Sequence, residues 1–278
     1  MTLSERNIFF KTGIFFCAAI ILLILAASFF TVLSPAYPQP EEGTLRPAYI
    51  FNVITGKFLK SSYYAVYAGL ALAALFSFAG ILLIHSFFER TPAPEILYIA
   101  FFTISFSFEA LRLFLPLHLI YHFPSFYLRI AARVLFFARF FGIFALFTAG
   151  LYAAGLDVQK TRNAIFTITI ATLAITLSVP IDVHSWDTSF NYTSGYKTMF
   201  KMIEILVFLT AMISFFIAAK VRDSREYVNA AVGVIFIMVG RNILLGTDNW
   251  IGAVQGVILL SLGTWYLCSK IHKIHLWL

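Results

Sequence analysis

An all-α bundle of about eight membrane-spanning helices is the fold class this sequence predicts, and three observations predict it. Apolar residues make up 60% of the 278 and charged residues only 12%, about half the charged share of a soluble domain. A chain with 32 phenylalanines and so few charges cannot cover a water-exposed surface. Its apolar residues also fall into runs of about 20, the length that carries a helix across hydrocarbon. Prolines and polar clusters separate those runs. Residues 1–278 are therefore read as a single integral-membrane domain.

The first run, 12–33, carries no charge and follows Arg6 and Lys11. It exceeds the roughly 7 to 15 apolar residues of a cleaved signal sequence. An uncleaved signal-anchor helix is expected, although Ala26-Ala27-Ser28 offers the small residues of a cleavage site. Pro35, Pro38, Pro40 and Pro47 then deny residues 34–60 a helix or a strand ladder, which predicts an extended extracytoplasmic loop. Helices follow at 62–84 and 96–117, the latter stopping around Pro116, with an aromatic interfacial stretch from His118 to Leu128. Further helices are expected at 129–151, at 164–179 (the shortest, halted by Pro180), at 199–219, 228–246 and 251–269. Between the fifth and sixth, residues 182–197 read as a polar loop with Trp186, Tyr192 and Tyr196 as interfacial anchors. Gly246-Thr247-Asp248-Asn249 carries turn chemistry. Two packing signals stand out, a ridge of Gly69, Ala73 and Ser77 and a G-x-x-x-G at Gly252 and Gly256.

The net charge of +7 reflects orientation rather than a nucleic-acid partner, which is not expected. With the N-terminus inside, Arg6, Lys11, Arg90, Lys160, Arg162, Lys220, Arg222, Arg225, Lys270 and Lys273 gather on the cytoplasmic side. The other side receives Arg46, Lys57, Lys60, Arg129, Lys197 and Lys201. Ten against six follows the positive-inside rule and predicts both termini in the cytoplasm. The expected setting is a bacterial inner membrane.

Ionisable residues within the spans are the candidates for function, because each needs a partner or water at membrane depth. Six stand out, away from the ends of their runs: Glu109, Arg112, Arg133, Arg139, Glu204 and Arg241. At 1.5 Å per residue, Arg112, Arg133, Glu204 and Arg241 lie about 6 to 8 Å below the outer interface, and Glu109 and Arg139 about 12 to 15 Å. Four arginines against two glutamates favour an outward-facing polar cavity for an anionic small molecule or lipid headgroup, since a guanidinium holds carboxylate or phosphate bidentately. The competing reading is interhelical glue, with the shallower arginines snorkelling to headgroups.

Other chemistries find little support. His118 and His122 stand four apart but between Pro116 and Pro124, and no helix core holds a histidine for haem. Cys17 and Cys268 sit in apolar runs without metal-ligand spacing. Protease, hydrolase and nucleotide-binding signatures are absent, and no cofactor is expected. A stand-alone ligand-binding or sensory module is the favoured reading, with membrane lipid and a partner membrane protein as its company. A transporter is the alternative, argued against because breaks are expected only at helix ends. A membrane-embedded enzyme on lipid-linked substrates or a structural subunit would follow.

Overall fold

A computed structural model of the chain describes residues 3–32, 61–88, 91 and 93–276. The expected loop at 34–60 and part of the turn at 89–92 lie outside the described residues. Among the described residues eight helices stand where apolar runs predict them: α1 (Leu3–Val32), α2 (Tyr63–Phe88), α3 (Pro94–Tyr121), α4 (Ser125–Ala153), α5 (Thr161–Ser178), α6 (Lys197–Val221), α7 (Arg225–Gly246) and α8 (Trp250–Leu276). Seven are long and apolar enough to cross a membrane; α5, with 18 residues, is not among them. The expected bounds are too tight at several ends. Helix α1 starts at Leu3 rather than 12, and α8 continues to Leu276 rather than stopping at 269. A helix satisfies its own backbone, so it does not stop where the hydrocarbon stops.

Helices α2, α3, α4, α6, α7 and α8 pack in sequence into a ring, with α1 leaning on α2 and α5 on α4. Helix α3 is the most enclosed: 78% of its most apolar stretch is buried, against 22% in α1. The closest approach is between α7 and α8. A Cβ on Gly240 would lie 2.5 Å from the Leu260 backbone nitrogen, and one on Gly263 would lie 2.8 Å from that of Ile237. Glycines 233 and 240 thus face 256 and 263, a seam with a spacing of seven. Of the expected Gly252–Gly256 pair, only Gly256 joins it, because Gly252 packs against the Thr247 side chain of the preceding turn. The Gly69–Ala73–Ser77 ridge is buried as well, and the Ser77 hydroxyl accepts from Ser107, 2.7 Å away.

Two departures from the sequence reading matter for the site. Helix α3 does not end at Pro116. It runs on to Tyr121, and its middle, Phe106–Leu113, is a 3₁₀ segment of eight residues. Pro116 takes one amide hydrogen out of the ladder just beyond that segment, and the tighter winding reorients the side chains that it carries. The expected polar loop is also structured. Strands β1 (Ile181–Trp186) and β2 (Tyr192–Ser194) pair antiparallel, with Ile181 opposite Ser194, Asp182 opposite Thr193 and an irregularity before Trp186 opposite Tyr192.

Both described ends of the chain reach the same end of the bundle. Arg6 donates to the Thr91 carbonyl, and Thr91 Oγ1 lies 2.7 Å from His272 Nδ1 on α8. The β1–β2 hairpin occupies the other end, where Asp248 in the α7–α8 turn accepts from Thr188 at 2.8 Å and from Ser61 at 2.7 Å.

Candidate functional site

The 3₁₀ segment of α3 presents Glu109 and Arg112 towards the hairpin end. Glu109 has 3% of its side chain exposed and meets two arginines. Arg139 on α4 holds it with a fork, Nε to Oε1 at 2.7 Å and Nη2 to Oε2 at 2.6 Å. Arg112 stands beside it, Nη1 at 3.5 Å from Oε2. An isolated carboxylate or guanidinium at this depth is costly, and the fork satisfies both oxygens and two donors together.

A second pair links α6 and α7. Arg241, 3% exposed, reaches Glu204 Oε1 at 3.0 Å, and its guanidinium carbon lies 5.8 Å from the centre of the Phe208 ring. The two pairs form one electrostatic unit, because Glu204 acts on Arg139 and Arg241 acts on Glu109 through space. Five of the six candidate residues are therefore brought together from α3, α4, α6 and α7.

Arg133 is not among them. Six residues from Arg139, it lies about 120° round the helix and turns to α5, where it donates to the carbonyls of Thr176 and Leu177, the latter at 3.0 Å. Convergence of all four arginines is thereby corrected to three, and the arginine that pairs with Glu204 is Arg241.

The hairpin closes this cluster from outside, and sequence reasoning missed its part. Arg112 donates to the Ser189 carbonyl, and Arg139 Nη2 donates to Asn191 Oδ1 at 2.7 Å. The Asn191 amide in turn donates to the Leu245 carbonyl of α7 at 3.1 Å. Asp187 shapes the tip, its Oδ1 accepting from the backbone N–H of Ser189 at 3.1 Å and of Asn191 at 2.8 Å. Its charge also acts on Arg112 and Arg139, so three carboxylates stand against three guanidiniums. Phe190 lies buried between two tyrosines of α2, stacked on Tyr63 at 5.5 Å and edge-on to Tyr67 at 5.7 Å. It holds φ +59°, a conformation that a bulky side chain adopts only when its surroundings enforce it. Tyr192 in β2 is buried too, which raises its phenol above the ordinary range. The open cavity expected from the sequence is thus a covered cluster, with Glu109, Arg112 and Arg241 each about 2–3% exposed.

Elsewhere, His118 Nδ1 lies 2.6 Å from the Phe123 carbonyl, and His122 ends α3 with φ +51°. Among the described residues no group of three or more His, Cys, Asp or Glu is placed to hold a metal ion.

No family model matches the chain, and no solved structure matches it. It is similar to an uncharacterized protein of Treponema pallidum (strain Nichols), 21% identical over 239 residues, which covers 68% of this chain and 69% of that protein.

Proposed function

We propose that the chain is a multi-pass ligand-binding module that takes a small carboxylate- or phosphate-bearing ligand at Arg112 and Arg139, beneath the hairpin. One observation carries the reading. On the hairpin side these two cations, Arg112 buried and Arg139 partly so, are met by neutral oxygens, the Ser189 carbonyl and the Asn191 amide. A charged acceptor makes the stronger partner for a guanidinium. When the hairpin lifts, Asp187 leaves with it, and three arginines face two glutamates. An arriving anion restores the balance and takes the place of the tip. The strained Phe190 favours the same movement, since release from its slot relieves the left-handed backbone.

In this reading both termini face the cytoplasm of a bacterium, as the charge bias suggests, and the relative from Treponema fits that setting. The hairpin is the element that reports occupancy, and a partner membrane protein carries the signal onward. A second reading, transport of the same anion, draws support from the 3₁₀ segment in α3. Discontinuous helices that carry charge near mid-membrane are a feature of transporters.

Thermal unfolding of the purified protein, titrated with acetate, succinate and phosphate, tests the binding. One of these is expected to raise Tm saturably. Arg139→Lys should reduce the effect while keeping the charge, and Asp187→Asn should shift the titration to lower concentration by removing the internal competitor. Unchanged Tm with all three anions would overturn the reading. Anion-driven counterflow in proteoliposomes would move the assignment to transport.

A further inference from the structure

Two enclosed donors in the outer cluster take no part in the contacts that hold it together. Arg112 is 2% exposed, and its nitrogens are used unequally. Nη1 stands beside Glu109 and Nη2 donates to the Ser189 carbonyl, while the enclosed Nε meets no acceptor among the described residues. Tyr192, 5% exposed, carries the second donor. Its hydroxyl is enclosed as well and makes no hydrogen bond among the described residues.

The two donors belong to one neighbourhood. Arg112 holds the carbonyl of Ser189, three residues before Tyr192. Tyr192 packs in the apolar cluster that includes Phe190 together with Ala110 and Leu113, which come from the same 3₁₀ segment as Arg112. The guanidinium charge also acts on the phenol through space. A guanidinium nitrogen can only donate, and a buried donor without an acceptor is costly, more so on a charged group.

The count of charges points the same way. Arg112, Arg139 and Arg241 stand against Glu109 and Glu204, while the third carboxylate, Asp187, is exposed at the hairpin tip. Water screens Asp187, so one positive charge has no enclosed counterion. A water molecule can accept from both donors, yet it leaves that charge as it is and brings two hydrogens that need acceptors of their own. A carboxylate or phosphate carries more oxygens than two donors satisfy. A monatomic anion accepts from both, balances the charge and needs nothing further.

We infer that the covered cluster holds one chloride ion between Arg112 Nε and the Tyr192 hydroxyl. The ion shares Arg112 with the anion site proposed above, but it uses a nitrogen that the Ser189 contact leaves free. It needs the hairpin in place and does not rest on that earlier reading. Because Tyr192 lies in β2, the ion ties the hairpin to α3 and adds to what keeps it closed.

The test uses the purified full-length protein in a neutral detergent, unfolded thermally as chloride replaces methanesulfonate at constant ionic strength. Chloride is expected to raise Tm saturably and to slow hydrogen exchange across 181–194. Tyr192→Phe removes one donor and should raise the half-saturating chloride concentration about tenfold, the worth of a hydrogen bond to a charged group. In methanesulfonate this variant should melt no lower than the wild type, because the hydroxyl that it loses has no protein partner. Should Tyr192→Phe not fold, bromide soaked into wild-type crystals decides, with an anomalous peak expected in contact with both donors. Equal Tm in chloride and methanesulfonate would overturn the inference in favour of water. An unchanged chloride midpoint in Tyr192→Phe, a lower Tm of that variant in methanesulfonate, or a bromide peak only elsewhere would overturn it too. Titrations with acetate, succinate and phosphate, run in methanesulfonate, separate the two sites. An effect of those anions without one of chloride overturns only this inference, and the reverse overturns only the ligand class proposed above.

Discussion

Arg139 grips Glu109 with two nitrogens at once, Nε at 2.7 Å and Nη2 at 2.6 Å from its two carboxylate oxygens. The pair joins α4 to the 3₁₀ segment of α3, so it fixes both the distance and the rotation of the most enclosed helix. Removing either partner leaves a charge without its counterion in a low-dielectric site. A double-mutant cycle of Glu109→Ala and Arg139→Ala, read by thermal unfolding in detergent, is expected to give a coupling of about 1 to 3 kcal/mol. Additive losses would mean that the two side chains are solvated independently.

Glu204→Ala strands Arg241, which is 3% exposed and lies beside the Phe208 ring. Glu204 itself is 24% exposed, so the expected loss is about 3 kcal/mol, the low end for breaking a buried pair. Replacing both residues by Met should recover much of it. Unchanged stability in the single variant would count against the pairing.

Asn191 ties the hairpin to the bundle twice, to Arg139 and to the Leu245 carbonyl. Asn191→Ala should lower global stability by only about 1 to 2 kcal/mol. It should nevertheless raise hydrogen exchange across 181–194 far more than in the helices. Equal protection in hairpin and helices after the substitution would contradict a lid held at its tip.

Gly240→Leu should prevent assembly of α7 and α8, because the first added carbon already meets backbone rather than a movable side chain. Gly246→Ala, where a Cβ meets nothing within 4 Å, is the control. Folded yield by size-exclusion chromatography decides, and a wild-type yield for Gly240→Leu would refute the seam.

Reporter fusions inserted at Thr188 and after Leu278 read the topology. Opposite sides are expected, with the C-terminal fusion in the cytoplasm. Reporters on the same side would require an even number of crossings between the hairpin and the C-terminus.

The sequence made the cluster partly legible for a simple geometric reason. A constant rise per residue converts position in an apolar run into depth, so Glu109, Arg112, Arg139 and Arg241 could be matched by level. Depth carries no azimuth, and azimuth separated Arg133 from Arg139. The 3₁₀ winding of 106–113 was not legible, because it depends on what packs around α3 as well as on Pro116. The hairpin was hidden for another reason. Its strands are short, and what holds them is distant in sequence: Phe190 in the Tyr63–Tyr67 slot and Asn191 on Arg139. Nothing singled out Asn191 or Asp187 within 182–197, which read only as a polar loop. The seam of α7 and α8 was visible as glycines, yet its spacing of seven rather than four depended on the crossing partner.

Arg133 and the brevity of α5 together say something about the surrounding lipid. Helix α5 is 18 residues long, about 27 Å, against a hydrocarbon slab of about 30 Å. Its last carbonyls would end in oil, and a guanidinium from a neighbouring helix reaches over to receive them. A bilayer is expected to meet this flank by thinning, with headgroups and water drawn down around Arg133. The chain leaves α5 for the β1–β2 hairpin directly beyond the carbonyls that Arg133 holds. Thicker lipid is therefore expected to act on α5 and the hairpin that follows it before it disturbs the longer helices.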